Sequence, residues 1–244
     1  MHRLFRITKN VIFYCLILIF AGEMILSFSS VVLPKSNLTS SKNQPQTMSV
    51  LEERLVAESG PINFENPQNP ANLSEALAEG GYVIVFRYTG AGGGASKIPP
   101  TLDGKVIDDG QRISTTSIER MLEYGNKVKQ LDIQIDHILS SEYYFVWQHA
   151  EAAFDLPIEI SRDLTGSLNF NNEKELEISL QNLRNRVVKV PESGKSTFLF
   201  THQGKFDKAF GFYPPAGTTI IFKPDGSSRP QLIAVLSFEE FIQL

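Results

Sequence analysis

The sequence predicts an α/β fold, a three-layer α/β/α sandwich in which helices cover both faces of a mostly parallel β-sheet. Strand-like and helix-like segments alternate over residues 72 to 240, as they do in chains built from successive strand and helix units. The run Tyr82–Phe86 is continuously apolar and contains β-branched residues, which is typical of a strand covered on both faces. Because ligands of such sheets bind at the carboxyl ends of the strands, Arg87 and Tyr88 lie where a functional site is expected.

The other elements follow from capping residues and apolar spacing. A helix is predicted over Asn72–Glu79, because Asn72 and Ser74 are candidate N-caps and Gly80 and Gly81 can end it. A second helix is predicted by apolar residues and a glycine at three- and four-residue spacing on one face, namely Ile118, Met121, Leu122, Gly125 and Val128. The later predicted elements are the strand Ile133–Leu139, the helices Tyr143–Phe154 and Glu173–Val188, the strand Thr197–Phe200, and a hairpin of Thr218–Phe222 and Gln231–Leu236.

The N-terminus has the features of a targeting or anchoring segment. Three basic residues precede two apolar stretches, Val11–Gly22 and Met24–Leu33, which are separated by Glu23. Residues 1 to 33 are therefore predicted to be either a signal peptide, with Ser27–Ser29 as a small-x-small cleavage site, or a retained membrane anchor. Both alternatives stay open. The basic residues before the segment predict an extracytoplasmic domain: periplasmic, secreted, or membrane-anchored and facing outward.

Amino-acid composition predicts how the rest of the chain is organised. Residues 34 to 71 are rich in Pro, Ser, Asn and Gln and are predicted to be a tether, while residues 72 to 244 are predicted to be one folded domain. Residues 1 to 33 contain three of the 23 basic and one of the 27 acidic residues, so the remainder carries 20 basic and 26 acidic residues, a net charge of −6. An acidic domain without a basic run is not expected to bind nucleic acid.

No cofactor and no metal are predicted. The segment Gly90–Ala95 fits the spacing of a dinucleotide-binding fingerprint, but this motif requires a helix N-terminus directly after it. The following residues, Ser96–Pro100, include two prolines and cannot begin such a helix. Gly194–Ser196 is similar to the end of a P-loop, but a strand rather than a helix follows it. Both motifs are therefore interpreted as ordinary loops.

Polar residues at three predicted strand ends form a more specific pattern. Arg87 and Tyr88 follow the first strand, Ser140 and Ser141 follow the second and lead into a helix, and His202 follows the third. Together with the run from Gly80 to Arg87 and the late segment Phe222–Gly226, their order and spacing resemble the histidine phosphatase superfamily, also called phosphoglycerate-mutase-like, over about residues 72 to 240.

The resemblance implies a phosphate site in which four positions matter. In that family the first strand ends in Arg-His, where the histidine attacks phosphorus and the arginine holds phosphoryl oxygens. Here Arg87 matches, but Tyr88 stands at the nucleophile position. The second arginine position falls on Phe145, and the closing histidine matches His202. A phenol with a pKa of about 10 is mostly protonated at neutral pH, and phenylalanine cannot clamp an oxyanion, so we expect a catalytically inactive protein.

The candidate anion-binding residues are Arg87, His202 and His149. For Arg87 the alternative to anion binding is a structural ion pair. For His202 the alternative is a histidine whose ring is hydrogen-bonded within the fold and binds no ligand. His149 lies four residues after Phe145 on the same helix face, where it either lends partial positive charge to the site or is a surface residue. Lys205 and Lys208 are expected on a solvated face, and Tyr88 is expected to fill the space of the former nucleophile.

Three functions remain open at this point. The leading hypothesis is a pseudophosphatase that binds an anionic ligand, a phosphate-bearing small molecule or a protein partner. The alternative is a weak phosphomonoesterase that uses His202 as nucleophile or general base and Arg87 as the remaining clamp. The third is a scaffold domain without a ligand. In each case the N-terminal segment, if it is uncleaved, attaches the domain to a membrane.

Overall fold

The structure is a computed structural model that describes residues 57–58, 62–93, 96, 98–101 and 104–244. These residues belong to a compact unit that spans Leu51–Leu244. The predicted targeting segment, residues 1 to 33, and most of the predicted tether lie outside the described residues. Within the described ranges, no helix combines the length and the apolar composition that a bilayer-crossing segment requires.

The described elements alternate between strands and helices. In chain order they are α1 (Leu73–Ala78), β1 (Val83–Arg87), α2 (Thr115–Gln130), β2 (Ile135–Ser140), α3 (Tyr144–Ala153), β3 (Glu159–Ile160), the 3₁₀ turns Arg162–Leu164 and Ser167–Asn169, α4 (Glu173–Val188), β4 (Ser196–Thr201), α5 (Gln203–Phe210), β5 (Thr219–Phe222), β6 (Leu232–Leu236) and α6 (Phe238–Ile242).

The described strands form a six-stranded sheet in the order β3-β2-β4-β1-β5-β6. The pairs β3–β2, β2–β4 and β4–β1 are parallel, whereas β5 runs antiparallel to both β1 and β6. Five strands therefore point in one direction and β5 points in the other. This arrangement confirms the predicted mostly parallel sheet and the predicted C-terminal hairpin.

Helices cover both faces of the sheet. Successive residues of a strand point to opposite faces, so one strand can contribute side chains to two cores. In β1, Ile84 and Phe86 join a core that also contains buried residues of α1, α2, α3 and α6. Val83 and Val85 join a second core that is formed with α4 and α5. The continuous apolar run in the sequence thus supplies both cores, and the three-layer α/β/α prediction is confirmed.

Several elements were not predicted from the sequence. The strand β3 has two residues, and the helices α5 and α6 are short, so none of them shows a clear period in the sequence. For α6 a local signal exists: Ser237 and Glu240 form a capping box at its start.

The described part of the predicted tether packs against the domain. The backbone N–H of Ala57 donates to Asn185 Oδ1 at 2.9 Å, and Ala57 itself is buried. The ring of Phe64 stacks on Phe212 with centroids 4.5 Å apart. The folded domain therefore extends toward the N-terminus beyond residue 72, into the predicted tether.

The contact between α2 and α3 depends on Gly125. A Cβ atom at this position would lie 1.9 Å from the backbone oxygen of Ala153, at the end of α3. Glycine costs helix stability relative to alanine, yet here it lets the two backbones approach closely. The close approach places α3, which carries Phe145 and His149, against the sheet.

We predict that Gly125→Ala destabilises the domain by about 1 to 3 kcal/mol, because the new methyl group forces the two helices apart. The free energy of unfolding, measured by urea denaturation, checks this. Asn126→Ala is the control, since Asn126 is the next residue of α2 and is exposed, and it should change stability by less than about 0.5 kcal/mol. Equal stability of the two variants would contradict the close packing.

Candidate functional site

The register of the central strands brings the predicted site residues together. Arg87 pairs with Thr201 across β1 and β4, and Ser140 pairs with Phe200 across β2 and β4. The three strands are parallel, so the residues that follow them emerge at the same edge of the sheet. Tyr88, Ser141 and His202 are therefore neighbours, as the resemblance implies.

Aromatic rings occupy the centre of this edge. The ring of Tyr88 lies 5.5 Å from that of Phe145 and 5.2 Å from that of His202, and Phe145 lies 5.6 Å from His202. Tyr143 packs behind them, with its ring 5.7 Å from Phe145. These distances are those of aromatic rings in contact. Tyr88 is half-buried and Phe145 is buried, so the positions that the resemblance assigns to a nucleophile and a second arginine form an apolar cluster.

Arg87 is held by neutral partners at the end of β1. Its Nη1 donates to the backbone oxygen of Tyr88, and its Nη2 donates to Gln203 Oε1, both at 2.5 Å. Its guanidinium lies 4.9 Å from the centre of the Tyr88 ring. Burial lowers the pKa of Arg87 below its ordinary value, but an arginine remains charged at neutral pH. Neither of these hydrogen-bond partners is an acid, so the alternative of a structural ion pair finds no support among the described residues.

His202 is buried at the N-cap of α5. Its Nε2 lies 2.9 Å from Ser141 Oγ, and burial lowers its pKa to about 3, with the positive charges of Arg87 and Lys205 acting in the same direction. The imidazole is therefore neutral at physiological pH. A neutral imidazole can accept or donate a hydrogen bond, but it cannot supply positive charge to an anion.

The structure corrects both interpretations of His149. This residue is fully buried rather than on the helix surface. Its Nδ1 lies 2.8 Å from the carbonyl of Phe145, and its Nε2 accepts from the backbone N–H of Thr89 at 3.1 Å. Burial lowers its pKa to about 4, so it is neutral and cannot lend charge to an anion. Instead, it connects α3 to the backbone that follows β1, directly after Tyr88.

Lys205 was expected on a solvated face, and this expectation is wrong. The residue is fully buried in α5, whereas Lys208 is exposed as predicted. The Nζ of Lys205 donates to Ser179 Oγ at 2.5 Å and lies 4.3 Å from the centre of the Phe170 ring. Burial lowers the pKa of Lys205 to about 7. The amine points toward Ser179 in α4 and away from the position that the resemblance assigns to a second arginine.

Between β1 and α2, two of the described residues, Ser96 and Ile98, are hydrogen-bonded to residues near the strand ends. The backbone oxygen of Ile98 accepts from the hydroxyl of Tyr143 at 2.5 Å, and that of Ser96 accepts from Asn169 at 3.4 Å. The next helix, α2, begins only at Thr115. Among the described residues between Gly93 and Thr115, none belongs to a helix, which argues against a dinucleotide fingerprint because that motif requires a helix N-terminus directly after its glycines.

Sequence reasoning missed one polar residue of this site. Gln203 is half-buried at the first position of α5, where its Oε1 accepts from Arg87 and its Nε2 donates to the backbone oxygen of Pro214 at 2.9 Å. The available signal was its place directly after His202 at a strand end. Among the residues that the structure describes, no group of three His, Cys, Asp or Glu side chains is arranged to hold a metal ion.

Comparison with known proteins found similar solved structures only. No family model matches the chain, and no curated protein does. A solved structure of the protein histidine phosphatase SixA complexed with tungstate is similar, with 18% identity, a TM-score of 0.43, and coverage of 64% of this chain and 97% of that chain. A putative alpha-ribazole-5'-P phosphatase from Escherichia coli is similar at 11% identity, with a TM-score of 0.47 and coverage of 65% and 97%.

A mutant phosphoserine phosphatase from Entamoeba histolytica, in complex with phosphoserine, is also similar, with 12% identity, a TM-score of 0.44, and coverage of 65% of this chain and 98% of that chain. Each of these three solved structures carries the name of a phosphatase. The order and directions of the strands establish the fold itself.

The buried amine of Lys205 gives a pH-dependent prediction. Below a pH of about 7 this lysine is protonated in both the folded and the unfolded state, so the full cost of burying its charge is present. Above that pH the folded state releases the proton first, and the cost declines until the unfolded state also titrates, near 10.5. We expect Lys205→Met to stabilise the domain by about 1 to 3 kcal/mol at pH 7 and by progressively less toward pH 10.

Urea denaturation at several pH values measures this difference. Lys208→Met is the matched control, because Lys208 lies on the same helix but is exposed, and its effect should be small and independent of pH. A gain for Lys205→Met that stays constant between pH 7 and pH 10 would show that the amine is not charged at a cost in the folded state.

Proposed function

We propose that this chain is an extracytoplasmic, histidine-phosphatase-like protein that does not transfer phosphoryl groups and binds an anionic ligand through Arg87. The observation that carries the proposal is the packing of Tyr88 and Phe145 against His202. Export and attachment to a membrane are proposed from the N-terminal segment, residues 1 to 33.

The chemistry of the aromatic cluster argues against phosphoryl transfer. Burial raises the pKa of Tyr88 above its ordinary value of 10.0, so the phenol stays protonated and is a poor nucleophile near neutral pH. Transfer also requires cations aimed at the equatorial phosphoryl oxygens. The ring of Phe145 provides none, and the neutral imidazoles of His149 and His202 do not replace it.

Binding of an anion is supported by what remains at the strand ends. Arg87 keeps its charge, and its present acceptors, a backbone carbonyl and an amide oxygen, are neutral and weaker than an oxyanion. The first turn of α5 also points toward this edge, and the N-terminus of a helix favours negative charge. The site can therefore hold an anion even though it lacks the groups for turnover.

One observation favours a second candidate, a weak phosphomonoesterase that uses His202. A neutral imidazole is the nucleophilic form of histidine, and the low pKa of His202 keeps it in that form. However, this ring is buried, and its Nε2 is engaged with Ser141. We therefore favour binding without turnover.

We predict that the purified full chain hydrolyses p-nitrophenyl phosphate no faster than Arg87→Ala does between pH 5 and pH 8, because no nucleophile and no second clamp are present. Release of p-nitrophenolate, measured by absorbance, checks this. The second candidate predicts instead a base-stable phosphoprotein that is lost in His202→Ala. Turnover by the wild type that Arg87→Ala abolishes would refute the proposal.

Restoring the two altered positions should restore the first chemical step. We expect the double variant Tyr88→His with Phe145→Arg to form a base-stable, acid-labile phosphoprotein with a low-molecular-weight phosphoryl donor, whereas the wild type forms none. Adding Arg87→Ala to the double variant should remove the labelling. If the folded double variant stays unlabelled, features other than Tyr88 and Phe145 block the reaction, and the proposed cause is wrong.

A further inference from the structure

On one edge of the Arg87 guanidinium, only one of the two nitrogen donors has a hydrogen-bond partner. Its Nε and Nη2 point to the same side and together can hold both oxygens of a planar carboxylate. Nη2 donates to Gln203 Oε1, while Nε is buried and has no hydrogen-bond partner among the described residues. Arg87 is only 8% exposed. A buried donor without a partner costs about 1 to 3 kcal/mol, and such groups call for an explanation by a bound molecule or a function.

The charges at the strand ends favour a singly charged anion over a doubly charged one. Arg87 contributes one positive charge, whereas His202 and His149 are neutral at pH 7 and Tyr88 is protonated. The buried Glu142, which follows Ser141 at the end of β2, adds a carboxyl group to the same edge. A phosphate monoester carries about −1.5 to −2 charges at this pH, so it would bring excess negative charge into a largely buried site, which is costly. A carboxylate carries one charge and has the planar shape of the Arg87 edge.

The rim of the site is apolar. Three large apolar side chains at this edge are exposed: Ile98 by 40%, Leu168 by 81% and Tyr213 by 61%. The backbone oxygen of Ile98 accepts a hydrogen bond from the hydroxyl of Tyr143. Leu168 lies in the turn that follows Gly166. Gly166 is next to His202, because a Cβ atom added at Gly166 would lie 3.0 Å from His202 Nδ1.

Tyr213 completes this rim. It directly precedes Pro214, whose backbone oxygen accepts from Gln203 Nε2 at 2.9 Å, and its charge acts on the pKa of both Arg87 and Tyr88. This rim lies next to the rings of Tyr88 and Phe145. It is better suited to contact the apolar part of a ligand than to contact a sugar or a nucleotide.

We propose that the ligand is a small arylalkyl monocarboxylate. This inference rests on the proposed function and specifies its anion. The carboxylate takes both Nε and Nη2 of Arg87, and it displaces the amide oxygen of Gln203 from Nη2. The aryl group lies against Tyr88 and the rim of Ile98, Leu168 and Tyr213. The exchange replaces a neutral acceptor with a charged, bidentate one and gives the buried Nε a partner.

Three probes with similar phenylalkyl groups test how the charged group of the ligand contributes to its affinity. Isothermal titration of the full chain at pH 7.5 compares 3-phenylpropanoate, its neutral amide 3-phenylpropanamide, and 2-phenylethyl phosphate. We expect the carboxylate to bind at least about 10-fold more tightly than both the amide and the phosphate, because the amide carries no charge and the phosphate brings a second negative charge into the buried site.

Substitutions of Gln203 give opposite results if this geometry is correct. Gln203→Glu places a carboxylate of the chain itself on Arg87, so 3-phenylpropanoate should bind at least about 10-fold more weakly. Gln203→Ala removes the competing amide and should tighten binding several-fold. Both variants lose the hydrogen bond from Gln203 to Pro214. The loss of this bond therefore cannot explain why one variant binds 3-phenylpropanoate more weakly and the other more tightly. Their melting temperatures, measured without ligand, show whether each variant is folded.

The rim has a matched control elsewhere on the surface. Leu168→Ser should weaken binding of 3-phenylpropanoate several-fold, whereas Ile178→Ser should not change it. Ile178 is also exposed, by 54%, but it lies on α4. Equal effects of the two substitutions would overturn the assignment of the rim.

The outcomes distinguish this inference from the proposed function. Tight binding of 2-phenylethyl phosphate without hydrolysis would overturn the carboxylate assignment and leave the proposed function standing. Hydrolysis of the phosphate would refute the proposed function. Equal affinity of the carboxylate and the amide, or no binding of any probe, would overturn the anion site at Arg87 and the inference with it.

Discussion

The parallel pairing of β1 with β4 is the constraint on which the candidate site depends. Arg87 is paired with Thr201 in this register, so the residue after each strand, Tyr88 or His202, emerges beside the other. A shift of one residue would turn every side chain of β1 to the opposite face of the sheet. The two cores would then lose their apolar contacts. The same alternation that stabilises the sandwich therefore also determines which residues meet at the site.

Aromatic packing at the strand ends determines the charge of the candidate site. Phe145 and Tyr88 pack against His202 and exclude water, which lowers the pKa of His202 to about 3. Apolar packing thus has two effects. It contributes to the core, and it removes the positive charge that the histidine would otherwise supply. Arg87 stays charged because its intrinsic pKa is high, and it is the residue through which we propose that an anion binds.

Two buried basic groups illustrate how packing changes the role of a residue. His149 joins α3 to the backbone of Thr89 and is neutral, so it positions the start of the loop rather than binding an anion. Lys205 points from α5 toward Ser179 and Phe170. Both lie close in sequence to residues of the site, yet neither amine nor imidazole faces a ligand. Proximity in sequence to a functional position is therefore weak evidence for function.

The sequence by itself determined the fold class, the order of the main elements and the identities of Arg87, Tyr88, Phe145 and His202, because apolar periodicity and the residues that follow each strand are local properties. Only the tertiary structure decided that His149 and Lys205 are buried and that Gln203 caps the guanidinium. The hydrogen bond from Arg87 to Gln203 joins residues 116 positions apart. Such contacts depend on strand register and on which helices cover each face, and no local pattern encodes them.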